Sequence, residues 1–167
     1  MNNKINIFAK KYVPKKLTKS DKKVVKSELL KSRKFYKKGI YYTRKQVKSY
    51  PHKISPHVIR ARKIYKIEDI YASSELAKKT GCSVDALAEI ERKGQGAYYS
   101  SGSRPNQTAH SWGRARLASA ITGGKSAAVD FNILENGCDH KKSKAYKMAL
   151  NAKKKHGFGT RRVPKTK

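Results

Sequence analysis

The sequence predicts a mainly α fold: a small helical module containing a helix-turn-helix-like hairpin, flanked by basic extended or helical arms. Three observations predict it. Helix caps and glycine stops recur along the chain, while no sustained period-two alternation marks strands. The charge is also divided. Residues 1–66 hold 22 Lys and Arg against two acids, Asp21 and Glu28, residues 141–167 hold 11 and no acid, and residues 67–140 hold 8 against 9 acids, within a net charge of +30. Three stretches are expected: a Tyr-rich basic arm with one or two amphipathic helices (1–66), a near-neutral helical module (67–140), and a basic C-terminal helix with a disordered tail from His156 (141–167).

Thr18 with Asp21 three residues on has the form of a capping box. The helix behind it, Lys19 to Lys38, places Val25, Leu29, Ser32 and Tyr36 on one face and stops at Gly39. Its apolar stripe is thin, so it needs a partner. Residues 40–43 read as a short strand or an extended segment. Ser55-Pro56 is an N-cap followed by a first-turn proline, opening a helix to about Tyr65 with Ile59 and Lys63 on one face. Ser73 or Ser74 caps a helix to Thr80, Gly81 turns it, and Ser83 caps a second helix that Gly94 ends. A polar loop follows to Thr108, which caps a helix ended by Gly123-Gly124. Ser126 caps another to Asn136, and Asp139 a last one with Tyr146, Ala149 and Leu150.

At 37% hydrophobic and 31% charged, the chain is neither a typical compact globule nor a typical disordered one. Cys82 and Cys138 allow one disulfide but do not make a disulfide framework, and they read as reduced, buried side chains. No apolar run is long enough for a membrane span, and Ile5 to Ala9, broken by Asn6, is too short for a signal peptide. An intracellular protein is expected, or one packaged in a particle assembled in a cell.

Residues 76–90 carry the pattern of a helix-turn-helix. Ala77 sits four before Gly81, Cys82 follows it, and Leu87 and Ile90 lie six and nine after it. The second helix nevertheless carries Asp85, Glu89 and Glu91 against Arg92 and Lys93, which suits a structural hairpin better than a reader of bases. The basic arms, with Tyr12, Tyr36, Tyr41, Tyr42, Tyr50 and Tyr65 interleaved in the first, suit phosphate neutralisation plus base stacking, so the expected partner is a polyanion, either nucleic acid or an acidic protein surface. Candidate contacts are Lys15, Lys16, Lys22, Lys23, Lys37, Lys38, Arg44, Lys45, Arg60, Arg62, Lys153, Lys154, Lys155, Arg161 and Arg162. Gly123-Gly124-Lys125-Ser126 fails as a phosphate loop, because the position five before Gly124 is Ser119. Cys82, His110, Cys138 and His140 lack the spacing of a zinc site, and no metal or other cofactor is expected. The stretch 94–112 collects Tyr98, Tyr99, Arg104, Asn106, Gln107, His110 and Trp112, and it reads as a binding or assembly loop. No carboxylate lies between Glu91 and Asp130, so it holds no local acid–base pair, and no catalytic residue is assigned.

Residues 41–45, 75–82, 94–130 and 137–138 resemble an uncharacterised family encoded by large and giant DNA viruses, including algal viruses. Residues 96–108 (GAYYSSGSRPNQT) and 119–125 (SAITGGK) are the most specific parts, and the resemblance covers roughly 10–140. It implies no catalytic activity. It implies a viral protein made in an infected eukaryote and packaged in the particle. The expectation is a non-enzymatic structural virion protein, a minor capsid or inner-capsid component. Its arms would contact packaged DNA or acidic capsid surfaces, and its other partners would be virion proteins. It would reside in the virion and, during assembly, in the host cytoplasm or nucleus. The alternative is a nucleic-acid-binding protein, either a genome-condensing factor or a helix-turn-helix regulator.

Overall fold

The computed structural model describes residues 7–157. Among them are a 3-10 turn at Lys10–Tyr12 and eight α-helices. These are α1 Lys19–Lys37, α2 Pro56–Tyr65, α3 Ser74–Thr80, α4 Val84–Ser100, α5 Ala109–Ile121, α6 Lys125–Val129, α7 Phe131–Gly137 and α8 Lys144–His156. The fold is mainly α, and the described residues form no strand. The chain divides into two compact units. In described residues, unit 1 comprises 7–53 and 95–112, and unit 2 comprises 54–94 and 113–157. Helices α4 and α5 each supply residues to both.

Unit 1 is built on α1. Thr18 Oγ1 accepts the Asp21 N–H at 3.1 Å, which is half of the expected capping box. The other half runs through Ser49, whose hydroxyl accepts the Thr18 N–H and donates to the Asp21 carboxylate. Val25, Leu29 and Ser32 are buried as the stripe predicts, whereas Tyr36 is exposed. The thin stripe is covered by Phe8, Tyr12, Leu17 and Val47, which complete a small core. At Gly102 (φ +133°) a Cβ would lie 2.7 Å from Leu29 Cδ2 and 3.0 Å from the Tyr12 ring, so that position is restricted to glycine on both conformation and space.

Unit 2 is larger and rich in alanine. Leu76, Leu87, Ile90, Leu117, Ile121 and Leu134 are its largest fully buried apolar side chains, with Ala118, Ala120, Ala127, Ala128, Ala145 and Ala149 between them. Small residues let helix backbones approach closely. Helix α2 opens at Ser55 with Pro56 in its first turn, and it buries Ala61 and Tyr65, while Ile59 remains exposed. The hairpin turns where expected: Gly81 is left-handed (φ +72°), its N–H bonds to Ala77 O, and Leu76, Leu87 and Ile90 are buried.

Five expectations are corrected. Cys82 and Cys138 are not reduced but joined in a disulfide. The backbone bonds Ser83 N–H to Gly137 O and Asp139 N–H to Gly81 O, both 2.8 Å, set the two residues side by side, which a separation of 56 residues does not reveal. Helix α4 does not stop at Gly94 but continues to Ser100, because packing that buries Tyr98 outweighs the modest helix penalty of Gly94 and Gly96. The helix expected from Ser126 to Asn136 is two, α6 and α7, broken at the buried Asp130, and Gly124 rather than Ser126 is the N-cap of α6. Ser143, not Asp139, caps α8, accepting the Tyr146 N–H at 3.1 Å. The tail expected to be disordered from His156 does not start there, since His156 is the last residue of α8, and beyond Gly157 it lies outside the described residues.

Candidate functional site

Two features of the sequence pointed to function, the basic stretches and the segment around Tyr98–Trp112, and unit 1 holds most of both. Its described residues carry 18 Lys and Arg against Asp21 and Glu28, a net of +16. Both carboxylates are engaged internally. Glu28 is buried and accepts the Lys45 N–H at 3.1 Å. Asp21 accepts the Ser49 N–H at 2.9 Å as well as its hydroxyl, and these bonds hold its carboxyl below the usual value. The hydrogen bond from Tyr42 to Glu28 pushes the Tyr42 phenol up.

The two arginines of residues 7–53 differ from its fifteen lysines. Arg44 is partly buried. Its Nη1 donates to Ser32 Oγ (3.0 Å) and Tyr98 O (2.7 Å), and its Nη2 donates to Ser103 Oγ (2.7 Å). Its Cζ stands 3.8 Å from the Tyr98 ring centroid, and its backbone N–H donates to the Tyr98 hydroxyl at 2.9 Å. Burial pushes this guanidinium down from its ordinary value but leaves it charged. Arg33 donates from Nε and Nη2 to Ser101 O (3.0 and 2.7 Å) and from Nη1 to Ile7 O (3.1 Å). A planar fork with five donors suits such multi-carbonyl clamps, whereas a lysine does not.

The expected polyanion contacts therefore separate. Lys15, Lys16, Lys23, Lys37, Lys38 and Lys45 are exposed in unit 1, and Lys22 is half-buried. Lys16 also lies 5.8 Å from the Tyr50 ring centroid. Arg44 is an internal clamp. In unit 2, Arg60 is exposed, while Arg62 donates to Glu68 O at 2.6 Å. Lys154 and Lys155 are exposed at the end of α8, and Lys153 sits over the Phe131 ring at 4.3 Å. Arg161 and Arg162 lie outside the described residues.

The expected loop also separates. Tyr98 and Tyr99 are on α4, and Tyr98 is fully buried. Asn106, in the left-handed region (φ +63°), accepts the Val47 N–H (2.8 Å) and donates to Val47 O (3.0 Å) and Tyr50 O (2.7 Å). Gln107 accepts from Ser111 Oγ at 2.7 Å. Trp112 stands edge-on to Tyr12 with Lys11 5.6 Å from its ring centroid. Arg104 and His110 are exposed, with His110 Nδ1 3.4 Å from Gln95 Nε2. The crevice that Glu28, Arg44, Ser103 and Asn106 help line has room for about one water. Of the tyrosines interleaved in the basic arm, Tyr36 and Tyr41 are exposed beside Gly39 at the end of α1.

In unit 2, α4 presents Asp85 and Glu89 exposed on a groove that also includes Asn132 and Asn136. The buried Asp130 is held bidentate by Arg116 (2.8 Å each) with Lys93 at 3.3 Å. No helix among the described residues is long and apolar enough to cross a membrane.

No curated protein and no solved structure matches the chain. A family does. Its match begins at the 3-10 turn that leads into α1 and ends just before α8, so it takes in the Arg44 clamp, the hairpin and the cysteine pair. Matched over residues 9–142, the chain belongs to the family of unknown function DUF5824.

Proposed function

We propose that the protein is a non-enzymatic, polyanion-binding structural protein of a large DNA virus, a minor capsid or inner-capsid component. Its cationic surface would lie on packaged DNA or on acidic shell proteins. It would be found in the virion and, during assembly, in the host cytoplasm or nucleus. The viral context rests on the resemblance of residues 96–108 and 119–125 to proteins of such viruses.

The observation that carries the binding reading is the one-signed surface of unit 1. Both of its described acids are engaged by the unit's own N–H and O–H groups, while six of the seven lysines of α1 are exposed. Lysines without nearby carboxylates repel one another, and a bound polyanion relieves that repulsion. Binding to duplex DNA should fall steeply with salt, with a log–log slope of about −0.9 per neutralised phosphate. Replacing Lys19, Lys23 and Lys26 by Gln should flatten that slope, and an unchanged slope would refute α1 as the contact face. Purified particles should contain the protein in a fixed ratio to the shell protein, and absence from them defeats the virion role.

The α3–α4 hairpin favours a second reading, a sequence-reading regulator. The exposed Asp85 and Glu89 on α4 weigh against it, because they would face phosphates. A salt-tolerant preference for one duplex sequence, lost on changing residues 84–93, would establish it.

A further inference from the structure

We propose that Tyr41 is a stacking site for an unpaired nucleobase, so that unit 1 binds single-stranded nucleic acid more tightly than duplex. This rests on the polyanion reading above and names the class of polyanion. At 70% exposure, Tyr41 is the most exposed large hydrophobic side chain among the described residues. Tyr36 and Ile40, 39% and 48% exposed, adjoin it at the end of α1.

The Tyr41 ring is one rung of a ladder. Its centroid lies 6.3 Å from Tyr36 and 5.0 Å from Tyr99. Tyr99 stands edge-on to Tyr98 at 5.1 Å and 89°. Tyr98 is fully buried beneath Arg44, whose guanidinium is held by Ser32, Ser103 and the Tyr98 carbonyl. A partly buried, hydrogen-bonded cation thus anchors a row of rings that ends in solvent. A ring held in place before the ligand arrives costs less to order on binding.

Lys34, Lys37 and Lys38 are exposed around Tyr36, and no acid occurs in the sequence between Glu28 and Glu68. Cations at the rim of an exposed aromatic face fit a ligand that offers phosphates and free π-faces together. A single strand does so, while a duplex keeps its bases stacked inside.

The test is fluorescence anisotropy of the full chain with a labelled oligothymidylate, a duplex of equal phosphate count, and polyglutamate, each over a range of salt. The wild type should bind the strand more tightly than the duplex. Tyr41→Ala should weaken strand binding about tenfold and leave duplex affinity and its salt slope unchanged. Tyr41→Phe should behave as wild type, because stacking does not use the hydroxyl. Equal wild-type affinity for strand and duplex, or an equal loss on both in Tyr41→Ala, overturns the stacking site, while salt-steep duplex binding still upholds the polyanion reading. An equal loss on polyglutamate, which has no rings, overturns it in favour of a protein partner. No salt-dependent binding to any of the three overturns the polyanion reading itself.

Discussion

Among the described residues the two units hold the same number of basic side chains and use them differently. Each has 18 Lys and Arg among its described residues, but unit 1 has two acids and unit 2 has nine, giving net charges of +16 and +9. Unit 2 has the larger apolar core, a disulfide and a bidentate ion pair on a buried carboxylate. Unit 1 has a small core and relies on hydrogen-bonded clamps: Arg33 and Arg44 on carbonyls and hydroxyls, Asn106 on the 47–50 segment, and Asp21 and Glu28 on N–H groups. A chain region with almost no acids cannot neutralise itself through ion pairs. Arg33 and Arg44 turn inward to neutral acceptors, which satisfy them without a counter-charge, and most of its lysines remain in water.

The comparison can be broken most sharply at the disulfide. Closing a loop of 56 residues is worth about 4 kcal/mol in the chain-entropy account. Reductant, or Cys82→Ala with Cys138→Ala, should destabilise unit 2 by that order. Hydrogen exchange should show lost protection at 54–94 and 113–157, with residues 7–53 affected far less. Equal loss in both would show that the units do not unfold separately.

Next in size is Arg44. Arg44→Met removes a charged donor with three acceptors and should cost unit 1 about 3 kcal/mol in urea unfolding. Arg44→Lys should recover little of that, since an ammonium cannot span the same acceptors. Asn106→Ala strips the Val47 N–H of its acceptor and should cost about 2 kcal/mol, with exchange rising at Val47.

Acid separates the units least. Asp21 in unit 1 is held below its ordinary 3.8 by Ser49, and Asp139 in unit 2 is held below its own by the N–H groups of Lys142 and Lys141. A lowered folded-state value means that each contribution is complete above the unfolded value and is lost as pH falls through the folded one. Protection of the Ser49, Lys141 and Lys142 amides, measured against their intrinsic exchange rates, should therefore be lost as pH falls below about 4 while the helical signal changes little.

The helices were legible where local chemistry decides them. Thr18, Ser55, Ser73 and Ser83 cap the helices they announce, and Gly39 and Gly81 end helices in the left-handed conformation. Local cues mislead where a distant contact outweighs them. Gly94 looked like a stop because glycine is a poor helix former, yet α4 runs through it. Asp130 looked like a helix-interior residue, yet its carboxylate is drawn to Arg116 and the helix breaks there. The stretch 94–112 looked like one loop, but half of it is helix and much of the rest fastens residues 44–50. The two arginines among fifteen lysines in residues 7–53 are a usable sequence signal, because a planar guanidinium fork holds several fixed acceptors at once better than an ammonium does.

The sequence by itself determined the helical class, most of the helix starts and the charge asymmetry, because caps, glycine stops and ionisable residues act through near neighbours or none. Tertiary structure alone decided the cysteine pairing, the inward turn of Arg33 and Arg44, and the row of rings that leads from Tyr98 out to Tyr41. Each of these joins residues tens of positions apart, and each exists only once backbone has been laid beside backbone.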